Sequence, residues 1–206
     1  MDAPRLTRTQ RRDATRERLI GAARTVFAEK GYAAASVEDI AAAAGHTRGA
    51  FYSNYRGKAD MLFELLRRDQ DEAAAALQRI AGANDPADDM QHAMLAYWRR
   101  CIGRQPSRLM WLEAQLQAAR DPQFRARFGV FLRDRQALAT ACIDAYAVRT
   151  GALLPLPTQV LALGLTALCD GVAACCAADA RSTADSLTDA VLAGFLAHTV
   201  FGRVRG

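Results

Sequence analysis

An all-α protein is predicted for this chain, and three features of the sequence predict it. Apolar residues recur at helical spacing from Thr15 to Phe201, strand-period alternation never persists beyond a few residues, and the breaks between periodic stretches are short and built from Gly, Pro, Asp, Ser and Thr. With 206 residues, 51% apolar and 24% charged, the chain can bury a substantial core and sits in the globular range. About nine helices fit the pattern, a three-helix N-terminal unit followed by a larger helical body.

Each element has a local reason. Residues 1–12 carry four Arg against one acid, Asp2, with Pro4 and no apolar stripe, and are expected to form a flexible basic arm. No apolar segment follows those arginines, which argues against a secretory leader. Helix one is predicted over 13–30, where Leu19, Ile20, Ala23, Val26 and Phe27 share a stripe, Lys30 suits the negative end of the dipole and Gly31 ends the helix. Ser36 with Asp39 three residues on is a capping box for helix two, which runs to Ala44 and stops at Gly45. Thr47 caps helix three, 48 to about 55, after a turn short enough to force an angled helix pair. Helix four is expected over 58–80.

Two Asp-Pro pairs, Asp85-Pro86 and Asp121-Pro122, each place a cap before a proline at the first helical position. They open helices to about Ile102 and to Thr150, the second closed by Gly151, with another helix over 107–119 between them. Past the Pro155 and Pro157 loop come a helix over 158–177 and a last one, capped by Ser182 or Thr183, that ends near Phe201. The expected organisation is therefore an arm at 1–12, a helix-turn-helix unit at 13–57 and a helical body at 58–206.

Charge narrows the function. Residues 1–60 hold 11 Lys/Arg against 7 Asp/Glu, or +4, and the remainder holds 16 against 15, or +1, which together give the net +5. That is the layout of a small nucleic-acid head on a nearly neutral body. Cys101, Cys142, Cys169, Cys175 and Cys176 are odd in number, lie in apolar helical context and form no CxxC pair, so they read as reduced core thiols. A thiol-based redox sensor is the alternative they leave open. His46, His92 and His198 are scattered, so neither a metal site nor a Ser/His/Asp arrangement has local support, and no cofactor is expected. A helical enzyme is a distant alternative. The longest apolar run, 160–169, is broken by Gly164 and Thr166 and stopped by Asp170, short of a membrane span. The expectation is a cytoplasmic protein with no membrane partner.

Helix three carries the chemistry. At about 100° per residue, Tyr55 lies roughly 40° from Phe51, and both face helices one and two, while Gly49, Tyr52 and Ser53 point away. An aromatic-anchored rear and an outer face of Gly, Ser, Tyr and Asn suit a recognition helix in the major groove. Gly49 allows close approach, Arg48 can reach guanine, Asn54 adenine, and Ser53 either. Tyr52, Lys58 and the helix starts at Ser36 and Thr47 are the candidate phosphate contacts.

The segment GYAAASVEDIAAAAGHTRGAFYSNYRGKADML, residues 31–62, closely resembles the helix-turn-helix signature of tetracycline-repressor (TetR) family regulators. Its Gly-Tyr, Ser-Val-x-x-Ile-Ala, Ala-Gly, Gly-x-Phe-Tyr and Lys-x-x-x-Leu landmarks stand in order, and residues 109–128 and 169–171 resemble the body of the same family. His46 and Tyr55 depart from it, where an aliphatic residue and Phe are usual. The resemblance implies a homodimer joined by its last two helices, and two-fold symmetry in turn calls for a near-palindromic double-stranded DNA operator. It also implies an unidentified small-molecule effector held in the body. Candidate ligand-facing residues are Met94, Trp98, Trp111, Gln115 and Phe128. On the last helix, Leu187, Val191, Gly194, Phe195 and His198 share the stripe expected to meet a partner subunit.

Overall fold

The structure, a computed structural model, describes residues 7–82, 90, 92–97, 100, 105–178 and 186–200. Eight helices have defined bounds: α1 Arg8–Lys30, α2 Val37–Ala43, α3 Arg48–Tyr52, α4 Lys58–Gly82, α5 Gln105–Arg120, α6 Pro122–Thr150, α7 Thr158–Ala178 and α8 Ser186–Thr199. Residues 92–97 add a further helical stretch, and among the described residues there is no strand. The Asp85-Pro86 start and the Ser182 or Thr183 cap lie outside the described residues.

Helix starts follow the side chains. Ser36 and Asp39 form the expected capping box, and Asp39 also accepts from Lys30 Nζ at 2.6 Å. That cation, together with the bonds from Ser36, holds the Asp39 carboxyl well below the usual carboxylate range. Asp121 Oδ1 accepts from the amides of Gln123 and Phe124, with Pro122 at the first position of α6. At the other end of α2, Gly45 adopts φ 68°. It donates to Ala42 O at 3.0 Å while His46 N donates to Ala41 O at 2.8 Å, a Schellman turn that fixes the direction in which α3 leaves.

Two boundaries differ from expectation. Helix α1 begins at Arg8, not at residue 13, because Thr7 and Gln10 form a reciprocal capping box: Gln10 N donates to Thr7 Oγ1 at 3.2 Å and Thr7 N to Gln10 Oε1 at 2.8 Å. Arg8, Arg11 and Arg12, expected in a flexible arm, therefore project from a helix. Helix α3 ends at Tyr52, with Ser53 as its C-cap, so Tyr55 lies beyond the helix even though its ring still turns inward.

The core runs through the head and into the body without a break. Leu19, Phe27, Ile40 and Phe51 of the three-helix unit are buried with Met61 and Leu65 of α4, Met110 and Ala114 of α5, and Phe124 and Phe128 of α6. A second cluster joins Ile143 and Tyr146 of α6 to Leu161, Leu165 and Cys169 of α7 and Leu192 and Leu196 of α8. The boundary expected at 57/58 thus crosses a shared core.

Two side chains from the body hold the α1–α2 connection. Lys58, the first residue of α4, donates to the carbonyls of Tyr32, Ala33 and Ala35 at 2.7, 3.0 and 3.0 Å and lies over the Tyr32 ring. Glu113 of α5 accepts from Tyr32 N. Gly31 has φ 79°, a conformation that favours glycine, and a Cβ there would sit 2.6 Å from Glu113 Oε1, so the carboxylate would have to shift.

Candidate nucleic-acid interface and internal cavity

Helix α3 is short, and its rear is anchored. Phe51 is fully buried, in edge contact with Tyr52 at 5.4 Å between ring centroids. Tyr55 is buried beside it, with the Arg16 guanidinium over its ring at 4.6 Å. Burial pushes the Tyr55 hydroxyl up to about 12, so it stays protonated at neutral pH. With both aromatics turned inward, the opposite face consists of Arg48, Gly49, Tyr52 and Ser53, all exposed.

The residues on and around that face are not equally available. Arg48 pairs with Glu38 at 2.8 Å and its guanidinium lies 5.4 Å from the Tyr52 ring centroid, but both partners of the ion pair are largely exposed. An exposed pair of this kind is screened by solvent and held weakly enough for a phosphate or base edge to displace it. Tyr52 is 48% exposed. Ser53 Oγ donates to Gly49 O at 2.9 Å and keeps its lone pairs for a partner.

Two expected contacts stand differently. Asn54 turns back along the chain, its Nδ2 donating to Ala50 O at 2.8 Å and its Oδ1 buried, so its amide is not offered to a base edge. Lys58 spends its three donors on the 31–36 connection, where an ammonium satisfies three loop carbonyls. Its place in the structure is to position the head on α4. Ser36 and Thr47 act as N-caps, Thr47 Oγ1 accepting from Ala50 N at 3.2 Å, which leaves the starts of α2 and α3 at the surface.

The N-terminal turns of α1 add charge. Arg8, Arg11 and Arg12 are exposed and fall within an arc of about 100° on one side of the helix. If they face the duplex, each phosphate contact adds roughly 0.9 to the magnitude of the log-log salt slope. Changing Arg11 and Arg12 to Ala together is expected to lower DNA affinity and flatten that slope by up to about 1.8, as read by fluorescence anisotropy across a salt series. A slope that does not change would show that these arginines remain in solvent.

In the body, a cavity of about 230 Å³ opens between α4, α5, α6, α7 and the 92–97 stretch. Met94 and Trp111, two of the candidate ligand-facing residues, line it. Gln115 and Phe128 do not: Phe128 is buried in the core behind Trp111, their rings 5.2 Å apart, because its position on α6 turns it towards Phe124 and Phe131. Trp98 lies outside the described residues. Most of the wall is apolar, with Leu77, Leu138, Ile143 and Leu165 among its members.

Sequence reading missed the polar end, formed by Asp69, Gln70, Ser107, Arg108, Arg135 and Asp170. Arg135 and Asp170 make a two-bond ion pair at 2.6 and 2.8 Å, and Arg24 of α1 reaches Asp69 at 2.6 Å and Ser107 at 3.1 Å. The cavity wall is thus tied directly to the first helix of the head.

The described thiols give the redox alternative no support. None of them forms a disulfide, Cys169 and Cys176 are buried, and burial raises the Cys142 thiol away from the reactive range. Among the described residues no group of three or more His, Cys, Asp or Glu side chains could hold a metal.

Helices α7 and α8 leave apolar surface uncovered. Val160 and Leu163 on α7 are 50% and 62% exposed, and Val191 on α8 is 39% exposed. By length and composition α7 could cross a membrane. One face of it, however, is buried against α6 and α8, and Asp170 within it is ion-paired. Of the stripe expected to meet a partner, Val191 and His198 are exposed, and a Cβ on Gly194 would meet nothing within 4 Å. Phe195 packs its ring onto Gly164 of its own chain instead, and the side chain of Leu187 lies outside the described residues.

These features define a class: a helix-turn-helix regulator in which a three-helix head shares its core with a helical body. Residues 19–65 match the profile of bacterial regulatory proteins, tetR family. The match spans most of the three-helix head and the start of α4, and over that segment the chain resembles the family. It is 26% identical over 165 residues to the HTH-type transcriptional repressor AcnR of Corynebacterium efficiens, covering 76% of this chain and 79% of that one. It is also 30% identical over 115 residues to the HTH-type transcriptional repressor Rv1474c of Mycobacterium tuberculosis, where the match spans 54% of each chain, only about half of that relative's length. A solved complex of SmeT with triclosan shares the fold, with a TM-score of 0.70, 22% identity and coverage of 91% of this chain and 92% of that one. AcnR and Rv1474c are transcriptional repressors, which favours a regulator over the enzyme alternative.

Proposed function

We propose that the chain is a dimeric, cytoplasmic repressor that reads a near-palindromic operator with α3 and releases it when a small apolar or amphipathic effector fills the cavity. The observation that carries this reading is the division of α3. Phe51 locks its rear into the core, while Arg48, Gly49, Tyr52 and Ser53 form an exposed polar face without a bulky obstruction.

Repression is supported by the relatives named above, and effector control by the cavity and by the SmeT complex, whose ligand is triclosan. A second subunit supplies cover for the apolar faces of α7 and α8 and the symmetry that a palindrome needs. Coupling has a physical route: Asp69 and Ser107 of the cavity wall bond Arg24 of α1, and Glu113, two residues beyond Trp111, bonds the backbone of the α1–α2 connection. A ligand that shifts α4 or α5 therefore moves groups on which the head is seated.

Two substitutions separate base reading from positioning. Arg48→Ala should relax base preference at one position in each half-site and weaken the preferred sequence roughly tenfold or more. Lys58→Ala should weaken binding to all sequences alike and lower the thermal stability of the head, because three carbonyls lose their donor. Binding curves on operator variants and a thermal melt distinguish the two. An Arg48→Ala protein with unaltered base preference would remove α3 from its proposed place in the groove.

A further inference from the structure

We propose that the cavity selects an uncharged amphipathic ligand carrying both a hydrogen-bond donor and an acceptor, an alcohol, phenol or carboxamide, anchored by Gln70 and Trp111; this rests on the effector-controlled reading above. The charges around the polar end are already engaged within the protein. Asp69 is held by both terminal guanidinium nitrogens of Arg24, and Arg135 is bonded twice to Asp170 and lies over the Trp111 ring at 4.5 Å; Arg108 also interacts within the chain, with its Nε and Nη2 making no hydrogen bond. A cationic ligand aimed at Asp69 or Asp170, or an anionic one aimed at Arg24 or Arg135, would have to break one of these pairs, which is costly in a largely apolar cavity.

Two neutral hydrogen-bonding groups of the wall await a partner. Gln70 Oε1 and Trp111 Nε1, both on cavity-lining residues, are buried with no hydrogen-bond partner, one an acceptor and the other a donor. An ionised carboxylate can accept from the indole N–H but has no proton to donate to Gln70 Oε1. An ammonium can donate to Gln70 but cannot accept from Trp111. A hydroxyl or carboxamide can do both, and its apolar body meets Leu138, Ile143 and Leu165.

The test uses three probes of equal chain length, 1-octanol, octanoate and octylammonium, so that only the head group differs. Binding to the full-length protein without DNA is measured by calorimetry and thermal shift, and operator affinity is measured alongside. Octanol should bind at least tenfold more tightly than either ion, and Gln70→Leu and Trp111→Phe should each weaken it about five- to tenfold while leaving the melting temperature of the unliganded protein near that of the parent. Tighter binding of octanoate or octylammonium, no octanol binding, or octanol affinity unchanged in both variants would overturn the proposal. The two readings fail separately. If an ion binds best and releases operator, effector control stands and the neutral class falls; if octanol binds as described but leaves operator affinity unchanged, the reverse holds.

Discussion

Replacing Phe51 by Ala is expected to destabilise the protein by about 3–5 kcal/mol and to abolish operator binding. The side chain is fully buried at the centre of the three-helix unit, in ring contact with Tyr52 and Tyr55. Its removal leaves a cavity beneath the only turn and a half that α3 possesses. A helix of five residues has no stability of its own, so its orientation depends on that anchor. Phe51→Leu, which keeps most of the volume, should cost less than about 1.5 kcal/mol and retain binding. Thermal melts with operator titrations test both variants, and a stable Phe51→Ala protein that still bound its operator would show that α3 is positioned by something other than this ring.

The second large effect is expected at Leu163. In a single protomer this side chain is 62% exposed, so Leu163→Glu should barely change the stability of the folded subunit. In the proposed dimer it is buried against a partner, where an unpaired carboxylate is not tolerated. Sedimentation should give a monomer of 22.4 kDa in place of a species of twice that mass. Operator affinity should fall by about two orders of magnitude or more, since the two heads no longer act as one bivalent ligand. A Leu163→Glu protein that sedimented as a dimer would place the interface elsewhere.

Local signals in the chain were legible because short-range chemistry decides them. Ser36 and Asp39, Gly45, Thr47 and the Asp121-Pro122 start each act within four residues, and the structure realises each one. The start of α1 was legible too, since Thr7 and Gln10 spell a capping box, but the arginines around it suggested disorder. Long-range partners were not legible. Lys58 reads as a surface cation beside DNA, yet its carbonyl partners lie 23 to 26 residues earlier and meet it only once α4 packs under α1. The polar end of the cavity gathers Asp69, Ser107, Arg135 and Asp170 from four helices, and no spacing along the sequence links them. Phe128 was misplaced for the opposite reason: an apolar residue on an amphipathic helix suits a core and a pocket equally, and only the direction of α6 decides between them.

The account stands most directly on what the head recognises. Selection of the full-length protein on a library of random DNA duplexes should enrich a near-palindrome whose half-sites are separated by about one helical turn or a multiple of it. The same selection with Arg48→Ala should lose information at one position in each half-site and at no other. Enrichment of a single unpaired half-site, or of no sequence at all, would contradict a dimer that reads its operator through α3.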